Sequence, residues 1–360
     1  MLGGPRAVGG NAARICATGL FAALFAVEAF VCGAQAQPGG AGLPPWQVAD
    51  IASLPDDGYG REVRYGHDLI AHTSALIGPD ARDQAMRFAG NGLECQSCHL
   101  QAGTIQFGLP FVGIWSRYPA FSARSDGTVT MAERINNCML RSMNGRALPQ
   151  DGREMRAIEA YFQFLDQPGM ALPAGRGSPE LALPEAAIDP NDGEKVYRRT
   201  CAACHGEDGA GVRHSPAEAA RYQQRYLFPP LWGPDSYNDG AGMSHNIGAA
   251  WFVRANMPRG VDFSHPLLTV SEAYDVVAFI NSHPRPNFAG LQNDYPNPWI
   301  KPPDLDTPPY LGPFPPNQHE FGPWQPIEDG LRRHAPERGA PPIPAGDGEA
   351  TAALAPGTTE

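Results

Sequence analysis

The sequence predicts a mainly α-helical chain in which two similar halves follow one another and a proline-rich extension forms the C-terminal end. Two observations indicate this architecture. The pentapeptide pattern C-x-x-C-H occurs twice, at 95–99 and at 201–205. An amphipathic helix then closes each half, at 151–165 and at 269–282, with apolar residues at helical spacing.

The N-terminal 36 residues have the pattern of a signal peptide. Arg6 and Arg14 form a basic start, residues 15–31 are mostly apolar and small, and Ala34-Gln35-Ala36 forms an A-x-A cleavage site. We therefore expect export and a periplasmic mature protein. A glutamate within the apolar run leaves an uncleaved membrane anchor as the alternative.

The charge and the cysteine count of the mature chain restrict its partners and its chemistry. Removing residues 1–36 takes away two arginines and one glutamate, so the formal net charge changes from −11 to −12. A nucleic-acid partner needs a basic face, so this balance argues against nucleic acid. Five cysteines remain, an odd number that disulfide pairing alone does not explain. They are Cys95, Cys98, Cys138, Cys201 and Cys204.

Four of these cysteines belong to the repeated pentapeptide, which reads CQSCH and CAACH. This is the attachment pattern of c-type haem, because thiols at i and i+3 reach both vinyl groups and the next histidine lies under the iron. We predict two covalently bound haem c groups, with His99 and His205 as iron ligands. Zinc ribbons space their cysteine pairs more closely, a thioredoxin-like motif needs a βαβ context, and structural disulfides leave both histidines unexplained.

Each motif lies in a frame that resembles a class I cytochrome c domain. Residues 80–99 predict a helix that runs into the first motif, and Asp151 with Glu154 forms a capping pair for the helix that closes the half. Residues 192–205 repeat the first feature, and a Thr269–Glu272 pair repeats the second. The predicted fold is therefore two tandem class I cytochrome c-like domains, each around one covalent haem.

Composition places the boundaries between these parts. After the signal peptide we expect an N-terminal domain at 37–166, a linker of limited flexibility at 167–190, a C-terminal domain at 191–283 and an extension at 284–360. Of the 38 prolines, 17 lie in 284–344. The aromatic residues among them predict a strap packed across the domains up to about Pro326, with disorder from about residue 335. A wholly disordered tail is the alternative.

The second haem needs a ligand on the other side of its iron, which in cytochrome c domains is commonly methionine. Met257 directly precedes Pro258 at the end of a predicted short helix, the usual arrangement of such a ligand loop. We expect Met257 to ligate the second iron, with Met243 and His245 as alternatives.

The fifth cysteine, Cys138, lies in RINNCMLRSMNG (134–145), within a helix predicted from about 131 to 143 and capped by Thr130 and Glu133. At about 100° per residue, three residues fall within about 40° of Cys138 on the helix surface. They are Met131, Arg134 and Ser142. Alanine, leucine and methionine residues occupy another arc that can face the core, so Cys138 is not placed as an ordinary core residue.

Basic residues surround this helix in the sequence. Residues 99–146 carry five arginines against Asp126 and Glu133, a net charge of +3 inside an acidic chain. The arginines are Arg117, Arg124, Arg134, Arg141 and Arg146. This pattern predicts a positive cleft beside the first haem, which binds either the haem propionates or an anionic substrate.

Four stretches resemble the dihaem thiosulfate dehydrogenases: CQSCH, GLPFVGIWSRYPAF (108–121), RINNCMLRSMNG and HPRP followed by DYP. The resemblance covers roughly residues 60–325. It implies an enzyme that joins two thiosulfates into tetrathionate, with some members favouring the reverse reaction. It also implies that electrons pass from haem 1 to haem 2 and then to a soluble or membrane electron-carrier protein.

The resemblance further implies roles for individual residues. Cys138 is the second ligand of the catalytic haem 1, and Arg124, Arg134 and Ser142 match substrate-site positions. Some members place a lysine ligand beside the haem 2 methionine, where this chain has Asn256, so Met257 would serve alone.

Three rival functions stay open at this stage. A dihaem electron carrier explains the motifs but leaves the basic residues around Cys138 unused. A subunit of a sulfur-oxidising complex would use a cysteine-ligated haem together with a carrier partner. A dihaem peroxidase needs an exchangeable iron ligand and histidines that the sequence does not place.

Overall fold

The structure, a computed structural model, describes Trp46, residues 48–166 and residues 180–334. The predicted signal peptide, most of the predicted linker and the expected disorder from residue 335 lie outside the described residues. Within the described part, no helix is both long and apolar enough to cross a membrane.

The N-terminal half is helical with one small hairpin. Its helices are α1 (Gly58–Ala71), α2 (Thr73–Ile77), α3 (Leu100–Gly103), α4 (Met131–Leu140) and α5 (Arg153–Leu165). Strands β1 (Ala120–Ser122) and β2 (Gly127–Val129) pair antiparallel. Apolar residues of α1, α4 and α5 form one buried core, which also receives Tyr237 from the second half.

The C-terminal half repeats this plan and continues into the extension. Its helices are α6 (Pro190–Thr200), α7 (Ala202–His205), α8 (Pro216–Tyr222), α9 (Asn246–Asn256) and α10 (Val270–Asn281). Strands β3 (Val212–Arg213) and β4 (Tyr226–Phe228) pair antiparallel. The extension carries α11 (Pro316–Phe321) and α12 (Gln325–His334).

A glycine sets the same helix crossing in both halves. A β-carbon on Gly66 of α1 would lie 1.9 Å from the carbonyl oxygen of Ala157 in α5. A β-carbon on Gly193 of α6 would lie 1.9 Å from the carbonyl oxygen of Asp275 in α10. No side chain fits at either crossing, so these two glycines let the opening and closing helices of each half touch through their backbones.

The extension packs onto the rest of the chain. Tyr295 and Ile300 form a small buried cluster with Ala123 of the N-terminal half. Trp324, Ile327 and Leu331 lie in the core of the C-terminal half and are almost fully buried. The predicted strap does pack across the domains, but it is not extended throughout, because its last described part is the amphipathic helix α12.

The predicted helix at 80–99 is wrong. This stretch contains only two 3-10 turns, Gln84–Met86 and Cys95–Ser97. At Gly90 the chain passes against the residues after α4, where a β-carbon would lie 2.0 Å from the carbonyl oxygen of Asn144. This tertiary contact fixes a non-helical path, and α1, earlier in the chain, takes the place of the expected helix.

The capping predictions had different outcomes. Thr130–Glu133 and Thr269–Glu272 form complete capping boxes at the starts of α4 and α10, as predicted. The predicted pair of Asp151 and Glu154 does not form, because α5 begins one residue later and Gly152 is its N-cap. The Glu154 carboxylate instead accepts a hydrogen bond of 3.1 Å from the Tyr65 hydroxyl, which ties α5 to α1.

Candidate functional site

The first C-x-x-C-H motif presents its histidine in the form that binds iron. Nδ1 of His99 lies 2.5 Å from the carbonyl oxygen of Leu109, and its ring stacks on Phe111 at 4.1 Å. Burial lowers the pKa of His99 to about 4, so the imidazole is neutral. A neutral ring that donates from Nδ1 keeps the lone pair of Nε2 available for a metal.

The cysteines of this motif lie beside Cys138. All five described cysteines are free thiols, so the disulfide alternative fails within the described residues. Burial, together with the neighbouring Cys138, raises the pKa of Cys95 and of Cys98 to about 12. The helix α4 therefore brings Cys138 to the first motif across about 40 residues of sequence.

The second motif repeats the arrangement of the histidine. Nδ1 of His205 lies 2.8 Å from the carbonyl oxygen of Pro229, and burial lowers the pKa of this histidine. Burial also raises the pKa of Cys201 to about 11. Both motifs thus hold a neutral imidazole oriented by a backbone carbonyl, a device that fixes the ring of an iron-ligating histidine.

These residues fit haem c at both motifs. Each motif offers two free thiols for the vinyl groups and one neutral histidine with Nε2 available. At the end of the helix that carries Cys138, Nε of Arg141 is buried and has no hydrogen-bond partner among the described residues. Because a buried guanidinium N–H needs an acceptor, this atom fits a carboxylate such as a haem propionate.

The three candidate ligands of the second iron have different surroundings. Met257 follows α9 as its C-cap, and its half-buried side chain packs against the core of the C-terminal half. Met243 packs against the cores of both halves. His245 lies 3.4 Å from a guanidinium nitrogen of Arg124 and 3.9 Å from the carboxylate of Asp304.

Arg134 contacts Cys138 directly, as their shared helix face predicts. One guanidinium nitrogen of Arg134 donates to Sγ of Cys138 at 3.2 Å, four residues along α4. Both side chains are half-buried. Met131, which the helical wheel places on this face, is buried in the core instead, so the polar face is narrower than predicted.

Arg124 lies in a buried ion cluster with Arg141 and Asp294. The Asp294 carboxylate accepts from Arg124 at 2.8 Å and from Arg141 at 2.6 and 2.7 Å. Both guanidinium groups also donate to the carbonyl oxygen of Gly240 at 3.1 Å. The three charged side chains are at most 10% exposed, so water screens their charges weakly.

The remaining arginines of the stretch 99–146 and Ser142 are not members of the ion cluster around Asp294. Arg146 lies over the ring of Phe88 and donates to the carbonyl oxygens of Ala85 and Arg87. Arg117 is exposed on the surface. Ser142 lies beyond the end of α4, which stops at Leu140, and its carbonyl oxygen accepts from Asn91. The net charge of +3 is therefore not concentrated in one cleft.

Asp294 is the site residue that sequence reasoning missed. It lies 170 residues after Arg124, in the proline-rich extension, so no local pattern links the two. The signal was present in the DYP motif, where Asp294 precedes Tyr295, whose backbone N–H donates to the carbonyl oxygen of Arg124 at 2.8 Å.

Comparison with known proteins agrees with this geometry. Residues 86–169 match the family model "SoxA/TsdA, cytochrome c domain", and residues 190–284 match the model for cytochrome c. These matches support two tandem cytochrome c domains, whose haem binding fits the two motifs.

Curated relatives and a solved structure extend the match. Thiosulfate dehydrogenase of Allochromatium vinosum is 42% identical over 247 residues, 67% of this chain and 84% of the relative. The enzyme of the same name from Stutzerimonas stutzeri is 35% identical over 250 residues, 69% and 75%. The solved thiosulfate dehydrogenase (TsdBA) from Marichromatium purpuratum, in its as-isolated form, aligns with a TM-score of 0.59 at 34% identity. That alignment covers 67% of this chain and half the length of the solved one. The chain belongs to the thiosulfate dehydrogenase family.

Proposed function

We propose that the chain is a periplasmic dihaem cytochrome c that oxidises thiosulfate to tetrathionate and passes the electrons to an external carrier protein. The observation that carries the proposal is the contact of 3.2 Å between Arg134 and Sγ of Cys138, beside the first haem motif. It joins a sulfur nucleophile to a cationic donor in a chain whose relatives are named thiosulfate dehydrogenases.

In this proposal His99 and Cys138 hold the first iron, and His205 and Met257 hold the second. Haem bound at the two motifs would supply reversible one-electron chemistry, so that the pair accepts both electrons of one turnover. The protein would then bind two thiosulfate dianions, orient their terminal sulfurs towards each other and offset their repulsion.

Arg134 and Arg124 are assigned that electrostatic role. Charge-assisted hydrogen bonds from guanidinium groups stabilise oxyanions most strongly where water is excluded. Arg134 is half-buried and Arg124 is buried, which suits such a site. Ser142, close after α4, is assigned as a further polar contact to the substrate.

Cys138 is assigned the covalent step. Its sulfur would bond to the terminal sulfur of one thiosulfate as the pair loses two electrons, which haem bound at the two motifs would accept. The terminal sulfur of the second thiosulfate then attacks that bonded sulfur. A new sulfur–sulfur bond forms, the Cys138 thiolate leaves and tetrathionate is released. Two dianions give one dianion and two electrons, and no proton is exchanged.

Contacts between the halves support electron transfer from the first site to the second. Leu100 and Leu109, which flank the loop that orients His99, pack against the core of the C-terminal half. The side-chain amide of Asn256 donates to the carbonyl oxygen of Phe107 in that loop at 2.9 Å. Asn256 directly precedes Met257, so the histidine loop of the first site touches the methionine loop of the second.

The deciding experiment is thiosulfate-dependent reduction of purified protein loaded with two haems, followed by absorption spectroscopy. We expect thiosulfate to reduce the haems and tetrathionate to form, and tetrathionate to oxidise the reduced protein in the parallel assay. If dithionite reduces both haems but thiosulfate reduces neither, the chain is an electron carrier rather than the enzyme proposed here.

A further inference from the structure

We propose that Asp294 is a positioning residue for substrate: the extension places its carboxylate so that Arg124 and Arg141 are held in one fixed orientation at the anion site. The inference rests on the proposed function, because it assigns Arg124 to that site. Asp294 lies in the DYP motif, but neither the resemblance nor the family match gives it a role.

Asp294 and the carbonyl of Gly240 hold Arg124 and Arg141 in a buried arrangement, called the clamp below. Arg141 meets both carboxylate oxygens of Asp294, at 2.6 and 2.7 Å, in the two-pronged arrangement that orients a guanidinium most strongly. Arg124 shares one of these oxygens at 2.8 Å. Both arginines donate a second time to Gly240, so two cations are fixed by the same two acceptors.

Aromatic residues of the extension complete the clamp. The Arg141 guanidinium lies 4.1 Å from the ring centroid of Phe288, and the Arg124 guanidinium lies 5.4 Å from that of Tyr295. Cation–π contacts of this kind strengthen when water is excluded. Phe288, Asp294 and Tyr295 of the extension therefore contact the two guanidinium groups, although the arginines belong to the N-terminal half.

The clamp is connected to the catalytic helix. Arg141 is the C-cap of α4, three residues after Cys138, so the orientation of its side chain is linked to the end of that helix. Arg124 follows β1, and its carbonyl oxygen accepts from the backbone N–H of Tyr295. Asp294 thus fixes Arg124 and Arg141, which along the chain precede and follow the segment that carries Arg134 and Cys138.

Two possible roles of Asp294, lowering the local charge and positioning the arginines, predict opposite effects on dianion binding when its carboxylate is lost. Two arginines and one aspartate leave one net positive charge in the cluster, and neutralising Asp294 would leave two. If Asp294 only lowers the charge, its removal strengthens the binding of a dianion. If it positions the arginines, its removal weakens that binding, because two unclamped guanidinium groups repel each other and lose their orientation.

Asp294→Asn in the dihaem protein measures which prediction holds. We expect KM for thiosulfate, and the inhibition constant of sulfate as a dianion that does not turn over, to rise together by about tenfold or more, with kcat falling less. A decrease in both constants, or values like those of the unchanged protein, would overturn the proposal. A change in thermal stability alone would also overturn it, since a merely structural role predicts no parallel rise.

The matched control is Asp235→Asn. Asp235 also bridges two arginines, Arg213 and Arg225, at 3.4 and 3.3 Å, and accepts from the Tyr226 hydroxyl at 2.6 Å. It contacts neither Cys138 nor the arginines of the clamp. We expect this variant to keep KM, the sulfate constant and kcat within about twofold of the unchanged protein.

A second variant decides the question if Asp294→Asn does not fold. Arg141→Lys keeps every charge but cannot make the two-pronged contact. The positioning role predicts the same joint rise in KM and in the sulfate constant, and unchanged constants would refute it. If the unchanged protein shows no thiosulfate-dependent reduction, the proposed function fails. If it is active but both variants keep its KM and sulfate constant, only the role of Asp294 is disproved.

Discussion

Replacing Arg134 by alanine removes the guanidinium that donates to Sγ of Cys138 at 3.2 Å. The change leaves the helix intact, because alanine has the highest helix propensity and Arg134 lies mid-helix in α4. Arg134 is half-buried, so the loss of its packing alone is a small cost. The expected effect is therefore on the chemistry at Cys138 rather than on folding.

The size of the effect follows from the kind of hydrogen bond that the substitution removes. A hydrogen bond to a charged group is worth ~1.5–3 kcal/mol, and removing one donor from a site that excludes water costs up to ~4 kcal/mol. Since ~1.36 kcal/mol corresponds to a tenfold change in rate, kcat/KM should fall by roughly one to three decades. Steady-state reduction of an artificial acceptor by thiosulfate measures this, with haem spectra recorded to show that ligation persists.

Arg146→Ala is the control for a general effect of charge. Arg146 belongs to the same basic stretch, but its guanidinium lies 3.9 Å from the ring centroid of Phe88 and donates to backbone carbonyls away from Cys138. Its removal should leave kcat/KM within about twofold. Equal losses in the two variants, or an Arg134→Ala protein with normal kcat/KM, would show that the contact with Cys138 does not serve catalysis.

Three further predictions follow from the same geometry. Cys138→Ala should abolish thiosulfate oxidation and alter the spectrum of haem 1 only, and normal turnover would disprove the proposed mechanism. Met257→Gly should remove the weak red absorption of a ferric histidine–methionine haem and lower the potential of haem 2, whereas an unchanged spectrum would favour Met243. Gly66→Ala should lower the free energy of unfolding, measured with urea, by ~1–3 kcal/mol because its β-carbon would meet the backbone of α5. Gly58→Ala, in the same helix with nothing within 4 Å of its β-carbon, should not lower it.

Features encoded within a few residues were predictable from the sequence. The capping box of Thr130 and Glu133 depends on residues three apart, and it forms where expected. The contact between Arg134 and Cys138 follows from helical periodicity, since residues four apart share a face. The two motifs, in turn, contain the thiols and the histidine of each haem site within five residues.

Features that depend on distant residues were not predictable. The stretch 80–99 is predicted to be helical, but at Gly90 its path is set by contact with Asn144, more than fifty residues away. The five arginines of the stretch 99–146 could be counted from the sequence, but their positions in the fold could not be predicted. Arg146 is used to pack on Phe88, and the charges of Arg124 and Arg141 are partly offset by a carboxylate from the extension.

The two parts of the site therefore have different origins in the chain. The residues expected to attach haem in each half, a C-x-x-C-H motif and the carbonyl that orients its histidine, lie within about 25 residues of sequence. The buried cluster around Arg124 needs the N-terminal half, Gly240 of the C-terminal half and Asp294 of the extension. Because an unpaired buried guanidinium costs several kcal/mol, the arginines cannot keep this arrangement without both distant partners. The N-terminal half thus carries the motif expected to bind the first haem, whereas the proposed anion site needs residues from all three parts of the chain.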